Sequence, residues 1–156
     1  MNTKLIENTK LDLSFLKDHL TTIEELQLVN PSASLPFDKD YWLNFFITGY
    51  KSHSLLFKLN EEIIGHAAFK QASKDENKVF LCFVYIAPRH RKKGYSKMMI
   101  EQSEKFLKKH YQCTDYFLHV RLHNKPAISL YNKIGFSEIS RTDENIRMRK
   151  VFEIAQ

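Results

Sequence analysis

The stretch "VFLCFVYIAPRHRKKGYSKMMIEQSEKFL" (Val79–Leu107) constrains the fold more than any other part of the chain. An apolar run reaches Pro88, and four cations (Arg89, Arg91, Lys92, Lys93) then crowd around Gly94. A helical pattern begins at once. Like charges repel, so a strand-to-helix turn that collects them is expected to face an anion. A glycine there lets backbone N–H groups turn toward the ligand, and the helix N-terminus adds its positive dipole end. Arg and Lys supply charge, and Arg supplies forked hydrogen bonds.

Two familiar phosphate signatures are absent. A Walker A loop needs Gly-Lys-Ser/Thr, where this chain has "GYSK". A dinucleotide fingerprint needs three spaced glycines, and only Gly94 is present. The alternative is a solvated charge run, or a patch for nucleic acid. Nucleic-acid binding is disfavoured because "RHRKK" has no interleaved aromatic before Tyr95.

The rest of the chain reads as alternating periods. A short strand is expected near Lys4–Leu13, then one helix from about Ser14 to Val29 with Phe15, Leu16, Leu20, Ile23 and Leu26 on one face. "NPSASLP" breaks it, and Asp38 suits the cap of a second helix. Strands follow at Ser54–Leu59, Ile63–Gln71 and Lys78–Ala87, then a helix from Tyr95 to His110 and a strand over Asp115–Leu122. Asn124 and Pro126 open a short helix that Gly135 ends, and strands at Phe136–Arg141 and Ile146–Phe152 close the chain. The expected class is α/β (α+β) in layers.

The 156 residues fit a single domain with one core. With 43% hydrophobic residues, disorder is not expected. A net charge of +6 favours anionic ligands. No apolar stretch approaches the roughly 20 residues that span a bilayer, and Met1–Lys10 lacks a signal peptide's apolar core. Cys82 and Cys113 belong to no metal spacing. His119 and His123 stand four apart on an expected strand, which separates them by roughly 13 Å, so no metal is expected. A soluble, reducing, cytoplasmic setting is expected.

"PRHRKKGYS" (Pro88–Ser96) resembles the acyl-CoA-binding motif of the GNAT N-acetyltransferases, Arg/Gln-x-x-Gly-x-Gly/Ala. Arg91, Gly94 and Ser96 take the three marked positions, with Ser96 departing from Gly/Ala yet small. "NKPAISLYNKIGF" (Asn124–Phe136) resembles the family's downstream motif, Asn-x-x-Ala-x-x-Leu-Tyr-x-x-x-Gly-Phe, at every marked position. The two lie in the expected order, over about Lys78–Phe136.

The resemblance implies a mixed, mostly antiparallel sheet flanked by about four helices, with splayed strands holding CoA. It implies an acceptor-site region over about residues 1–53 and an acyl-CoA core over about 78–136. Acetyl-CoA would be co-substrate and a primary amine of a small molecule or peptide the acceptor. A bulge near Val84–Tyr85 would free the backbone of Tyr85 and Ile86 for the pantetheine arm. Arg91, Lys92, Lys93, Gly94, Tyr95, Ser96 and Lys97 would hold the pyrophosphate, and Asn124, Ala127 and Lys133 would lie along the cofactor.

By the same resemblance Tyr131 stands where the family keeps its general acid; its other reading is a core aromatic. Many relatives carry a Glu in the strand before the loop, but Val79–Ala87 has no acid. The ribosomal-protein acetyltransferases have Leu-Glu-Val on the next strand, where this chain reads "LHV". His119 thereby becomes a candidate base, with a pKa near ~6.5 suited to neutral pH. His66 and solvent stay open beside it. Phe37, Tyr41 and Trp42 shape either an acceptor pocket or the core. A non-catalytic acetyl-CoA sensor is the rival reading. The acceptor's identity, and a homodimer as assembly, stay open; no membrane partner is expected.

Overall fold

The computed structural model describes residues 2–152. Seven strands form one sheet in the order β1-β2-β3-β4-β5-β7-β6. They are β1 (Thr3–Glu7), β2 (Ser52–Leu59), β3 (Glu62–Gln71), β4 (Val79–Ile86), β5 (Asp115–Arg121), β6 (Ser137–Arg141) and β7 (Asn145–Val151). Every neighbouring pair is antiparallel except β4–β5, which is parallel. Five helices pack on it: α1 (Ser14–His19), α2 (Ile23–Val29), α3 (Lys39–Ile47), α4 (Tyr95–His110) and α5 (Lys125–Ile134). None of the described helices is long and apolar enough to cross a membrane.

The expected single helix over Ser14–Val29 is two. Leu20 ends α1, and the Thr22 hydroxyl starts α2 afresh by accepting from the Glu25 N–H at 3.2 Å. A β-branched capping residue competes with helix continuation, and the apolar spacing alone does not register the break. The Asp38 cap is as expected, its carboxylate accepting from Asp40 and Tyr41 N–H.

Two cores result. Leu16, Leu20, Leu26 and Trp42 of α1–α3 bury against Ala68, Phe83 and Tyr85 on one face of the sheet. Trp42 stacks on Phe37, is 1% exposed and belongs to this core, whereas Tyr41 is exposed. On the other face Met99, Ile100 and Leu107 of α4 and Tyr131 of α5 meet Ile64, Ala67, Leu81, Leu118 and Met148. The spacing of Met99, Ile100, Ser103 and Leu107 keeps them on one side of α4, leaving its lysines in solvent.

Strands β4 and β5 are in register at one pair only, Phe80 with Phe117, near the start of both. Beyond it they part. Close packing at the far end of β4 holds its outer edge against α4. A Cβ on Gly65 would lie 2.7 Å from Ile86 Cδ1, 2.9 Å from Met99 Sδ and 3.1 Å from the Tyr85 carbonyl oxygen. Both side chains are buried and cannot yield cheaply. Gly65→Val is therefore expected to destabilise the fold by about 1–3 kcal/mol through overpacking, read as a lower urea midpoint.

Candidate active site

The parting of β4 and β5 opens a cleft of about 1170 Å³. Its walls come from β4 and β5, the end of α2, the first residues of α4, the inner side of α5 and the β6–β7 turn. A bulge in β4 shapes it. His66 stands opposite Tyr85 while Ala68 stands opposite Cys82, so Phe83 and Val84 together face Ala67. Phe83 takes a left-handed backbone, φ +50°, which a bulky residue holds only when its surroundings force it. This lies within a residue of the expected bulge.

His66 supplies that force. It is fully buried, with Nδ1 2.9 Å from the Phe83 carbonyl oxygen and Nε2 2.8 Å from Ser54 Oγ. A carbonyl only accepts, so Nδ1 carries the proton and Nε2 accepts from the Ser54 hydroxyl. Ser54 Oγ in turn accepts from Asn8 Nδ2 at 3.1 Å, and Asn8 is tied to the Asp12 backbone through both its amide atoms. The imidazole is thus neutral and saturated. Burial pushes its pKa down to about 4, which removes it as a candidate base. In the sequence it is a lone polar residue in "EIIGHAAF", and nothing there announces its partner.

Below the bulge the basic loop makes a short 3-10 turn, Pro88–His90, and Gly94 at φ +83° starts α4. A Cβ on Gly94 would meet nothing in the protein, so its demand is the left-handed backbone. Arg91 turns inward. Its Nε donates to the Ile86 carbonyl at 2.9 Å, its two Nη groups grip Glu25 of α2 at 3.1 and 3.2 Å, and its plane lies over the Tyr85 ring. The loop's leading arginine therefore ties α2 to the end of β4, and its charge is already answered. Arg89 pairs with Glu62, and Lys97 stands 3.8 Å from Glu101. Lys92 lines the cleft and Lys93 is exposed, and among the described residues neither has a carboxylate partner. Tyr95 points its side chain into the core and does not line the cleft. Ser96 lines the cleft.

On α5, Asn124 occupies the cap position but makes no side-chain capping bond, contrary to its expected role. It lines the cleft instead, with Ala127, Leu130 and Tyr131. Lys133 is two positions past Tyr131, which is about 200° around the helix, and it sits in a separate shallow depression with Lys125 and Glu138. It does not line the CoA-side cleft. Tyr131 is 8% exposed, and burial raises its phenol to about 12. At neutral pH it holds its proton. Tyr85 and Ile86 line the opposite wall.

His119 lies on the cleft face, stacked on Phe80 at 5.1 Å. Arg147 Nε donates to its Nε2 at 3.1 Å, so the free lone pair of the neutral ring is engaged and Nδ1 carries the proton. Burial, and then the Arg147 charge, lower its pKa. Glu25, Phe45, Lys70 and Arg147 are also in the walls, and sequence reasoning missed all four. A lysine at the end of an apolar strand (Lys70) and an arginine alternating with apolar residues in "NIRMRK" were the available signals.

The chain matches the acetyltransferase (GNAT) family over residues 18–136. An N-alpha-acetyltransferase from Sulfurisphaera tokodaii is 27% identical over 132 residues, 77% of each chain. The spermidine N-acetyltransferase of Vibrio cholerae, solved with CoA and spermine, superposes with a TM-score of 0.78 at 18% identity, covering 96% of this chain and 95% of that one. The PaiA N-acetyltransferase of Thermoplasma acidophilum, solved with coenzyme A, gives a TM-score of 0.76 at 20% identity, covering 97% and 100%. The chain belongs to the GNAT acetyltransferase family. It is an acetyl-CoA-dependent N-acetyltransferase by class, as the two motifs implied.

The His66 lock has a pH signature. A histidine whose folded pKa is depressed to about 4 from 6.5 favours folding while neutral. That stability is complete above pH 6.5 and is lost as pH falls toward 4, because the unfolded chain takes up the proton first. The slope reaches about 1.4 kcal/mol per pH unit at most. His53, His90 and His119 are also depressed and contribute in the same sense. His66→Gln is expected to flatten the fall of Tm over this range relative to wild type, measured by thermal unfolding at successive pH values.

Proposed function

We propose that this N-acetyltransferase moves the acetyl group directly from acetyl-CoA to a primary amine of a small molecule or peptide, with Tyr131 as general acid. The observation that carries the reading is a protonated, buried phenol in the wall of a cleft made by two parting strands. The pantetheine arm would lie between β4 and β5, against backbone that the bulge leaves unpaired on the β5 side. The pyrophosphate would rest on the first N–H groups of α4, with Lys92 and Lys93 as countercharge. Asn124, freed from capping, can hydrogen-bond the arm.

The steps balance without a covalent enzyme intermediate. The neutral amine attacks the thioester carbon, whose oxygen is polarised by β4 N–H groups. The C–S bond breaks, and the departing sulfur takes the Tyr131 proton. The new amide's surplus proton leaves through the cleft to solvent, and the tyrosinate takes a proton back from the same water, which restores the phenol. His119 is not used as base, since Arg147 occupies its lone pair. Cys82 lines the cleft, but burial raises its thiol to about 12. A relay through it would need a thiolate, and it remains a thiol.

Tyr131→Phe removes only the donated proton. It is expected to lower kcat by about 10²–10⁴-fold with acetyl-CoA affinity retained. Release of free CoA across an amine panel, together with titration calorimetry for acetyl-CoA, measures both. Wild-type turnover in the variant would reduce Tyr131 to packing.

A further inference from the structure

The cleft is strongly one-signed. Lys70, Arg91, Lys92, Arg121, Arg141 and Arg147 line it, against a single carboxylate, Glu25. Four of these cations are accounted for. Arg91 holds Glu25, Arg121 holds Glu144 at 3.0 Å, and Arg141 holds Glu138 through two bonds. Lys92 belongs to the phosphate loop. Two remain, Lys70 and Arg147, and among the described residues neither has a carboxylate partner.

These two line the same cleft from opposite sides of β4 and β5. Lys70 stands opposite Phe80 in the β3–β4 register with its Nζ 4.3 Å over the Phe45 ring, and the Arg147 guanidinium lies 5.2 Å from the Phe80 ring. Both are held in place by neutral groups. Lys70 Nζ donates to the Phe45 carbonyl, and to that of Thr48 at 3.1 Å, while Arg147 uses only Nε on His119. Burial lowers the Lys70 pKa, with Cys82 acting in the opposite sense. The Nη edge of Arg147 is left as a planar fork, the geometry that matches a carboxylate with two bonds.

Two fixed cations without carboxylate partners in the cleft wall attract an anion and repel a polycation. We propose that the acceptor is a primary amine that also carries a carboxylate, held by Arg147 with Lys70. Polyamines are thereby excluded as preferred substrates, although the fold is shared with spermidine acetyltransferases. The inference rests on the N-acetyltransferase reading above. The carboxylate can be the α-carboxylate of a free amino acid or an acidic side chain near a peptide's N-terminus. Both present the same group to the same fork.

The test uses the full chain, acetyl-CoA and matched acceptors: L-alanine against L-alaninamide, Ala-Asp-amide against Ala-Asn-amide, and spermidine. CoA release gives kcat/KM for each. The acid member of at least one pair is expected to exceed its amide by about 10- to 100-fold, the worth of a charge-assisted hydrogen bond. Which pair shows it separates the two sources. Arg147→Gln is expected to collapse the acid–amide ratio while acetyl-CoA affinity stays at the wild-type value. Arg147 is exposed, so the variant folds. Equal rates within both pairs, a preference for spermidine, or a ratio that survives Arg147→Gln overturns the proposal.

Calorimetric titration of the same acceptors into the protein–CoA complex reads the site without turnover. Tighter binding of an acid member with no CoA release supports the carboxylate site and sinks the transferase reading. Turnover on amines with no acid preference does the reverse. Neither binding nor turnover by any acid member overturns the proposal.

Discussion

Two parallel strands that meet at one residue pair and then separate are the condition for everything else in this molecule. A parallel pair normally continues to hydrogen-bond, because stopping leaves donors and acceptors without partners. Here β4 is bent out of that ladder by its bulge, and the bulge is fixed from the other side by a buried histidine on β3. The chain from Asn8 through Ser54 and His66 to the Phe83 carbonyl is fully hydrogen-bonded, so the strain at Phe83 is stored without an orphaned polar group. The cleft is thereby held by the protein's own hydrogen bonds, which lowers the ordering cost of binding.

The same burial that shapes the cleft sorts its titratable groups. Tyr131 is kept protonated and so can donate, while Cys82 is kept as a thiol and cannot act as a nucleophile. His66 is held neutral as a strut, and His119 has its lone pair covered by Arg147. The direct transfer proposed above, with proton loss to solvent, fits this arrangement. The charges are sorted as well. Arg91, which leads the basic loop in sequence, is neutralised by Glu25 and joins α2 to β4. In the proposed site, the countercharge for phosphates falls to its neighbours and to the helix N-terminus.

Much of this was legible in the chain. The periods of "VFLCFVYI" and "MMIEQSEKFL" separate strand from helix, Asp38 caps where expected, and Pro126 and Gly135 bound the last helix. These features act within a few residues, so local physics specifies them. The two motifs identified the family for the same reason, since each sits on one turn or one helix face.

Other features needed contacts between residues far apart in sequence. The break at Thr22 escaped the apolar spacing because both halves keep the same buried face. The roles of Asn124 and Arg91 are not revealed by spacing: one lacks the cap it could have made, and the other finds Glu25 across 66 residues. Lys70 and Arg147 come to one cleft only because β3, β4, β5 and β7 lie side by side. The sequence by itself determined the elements and the cofactor class, through periodicity and short-range turn chemistry. Tertiary structure decided which charges are spent and which remain, because pairing depends on distance in space and the chain order does not encode it.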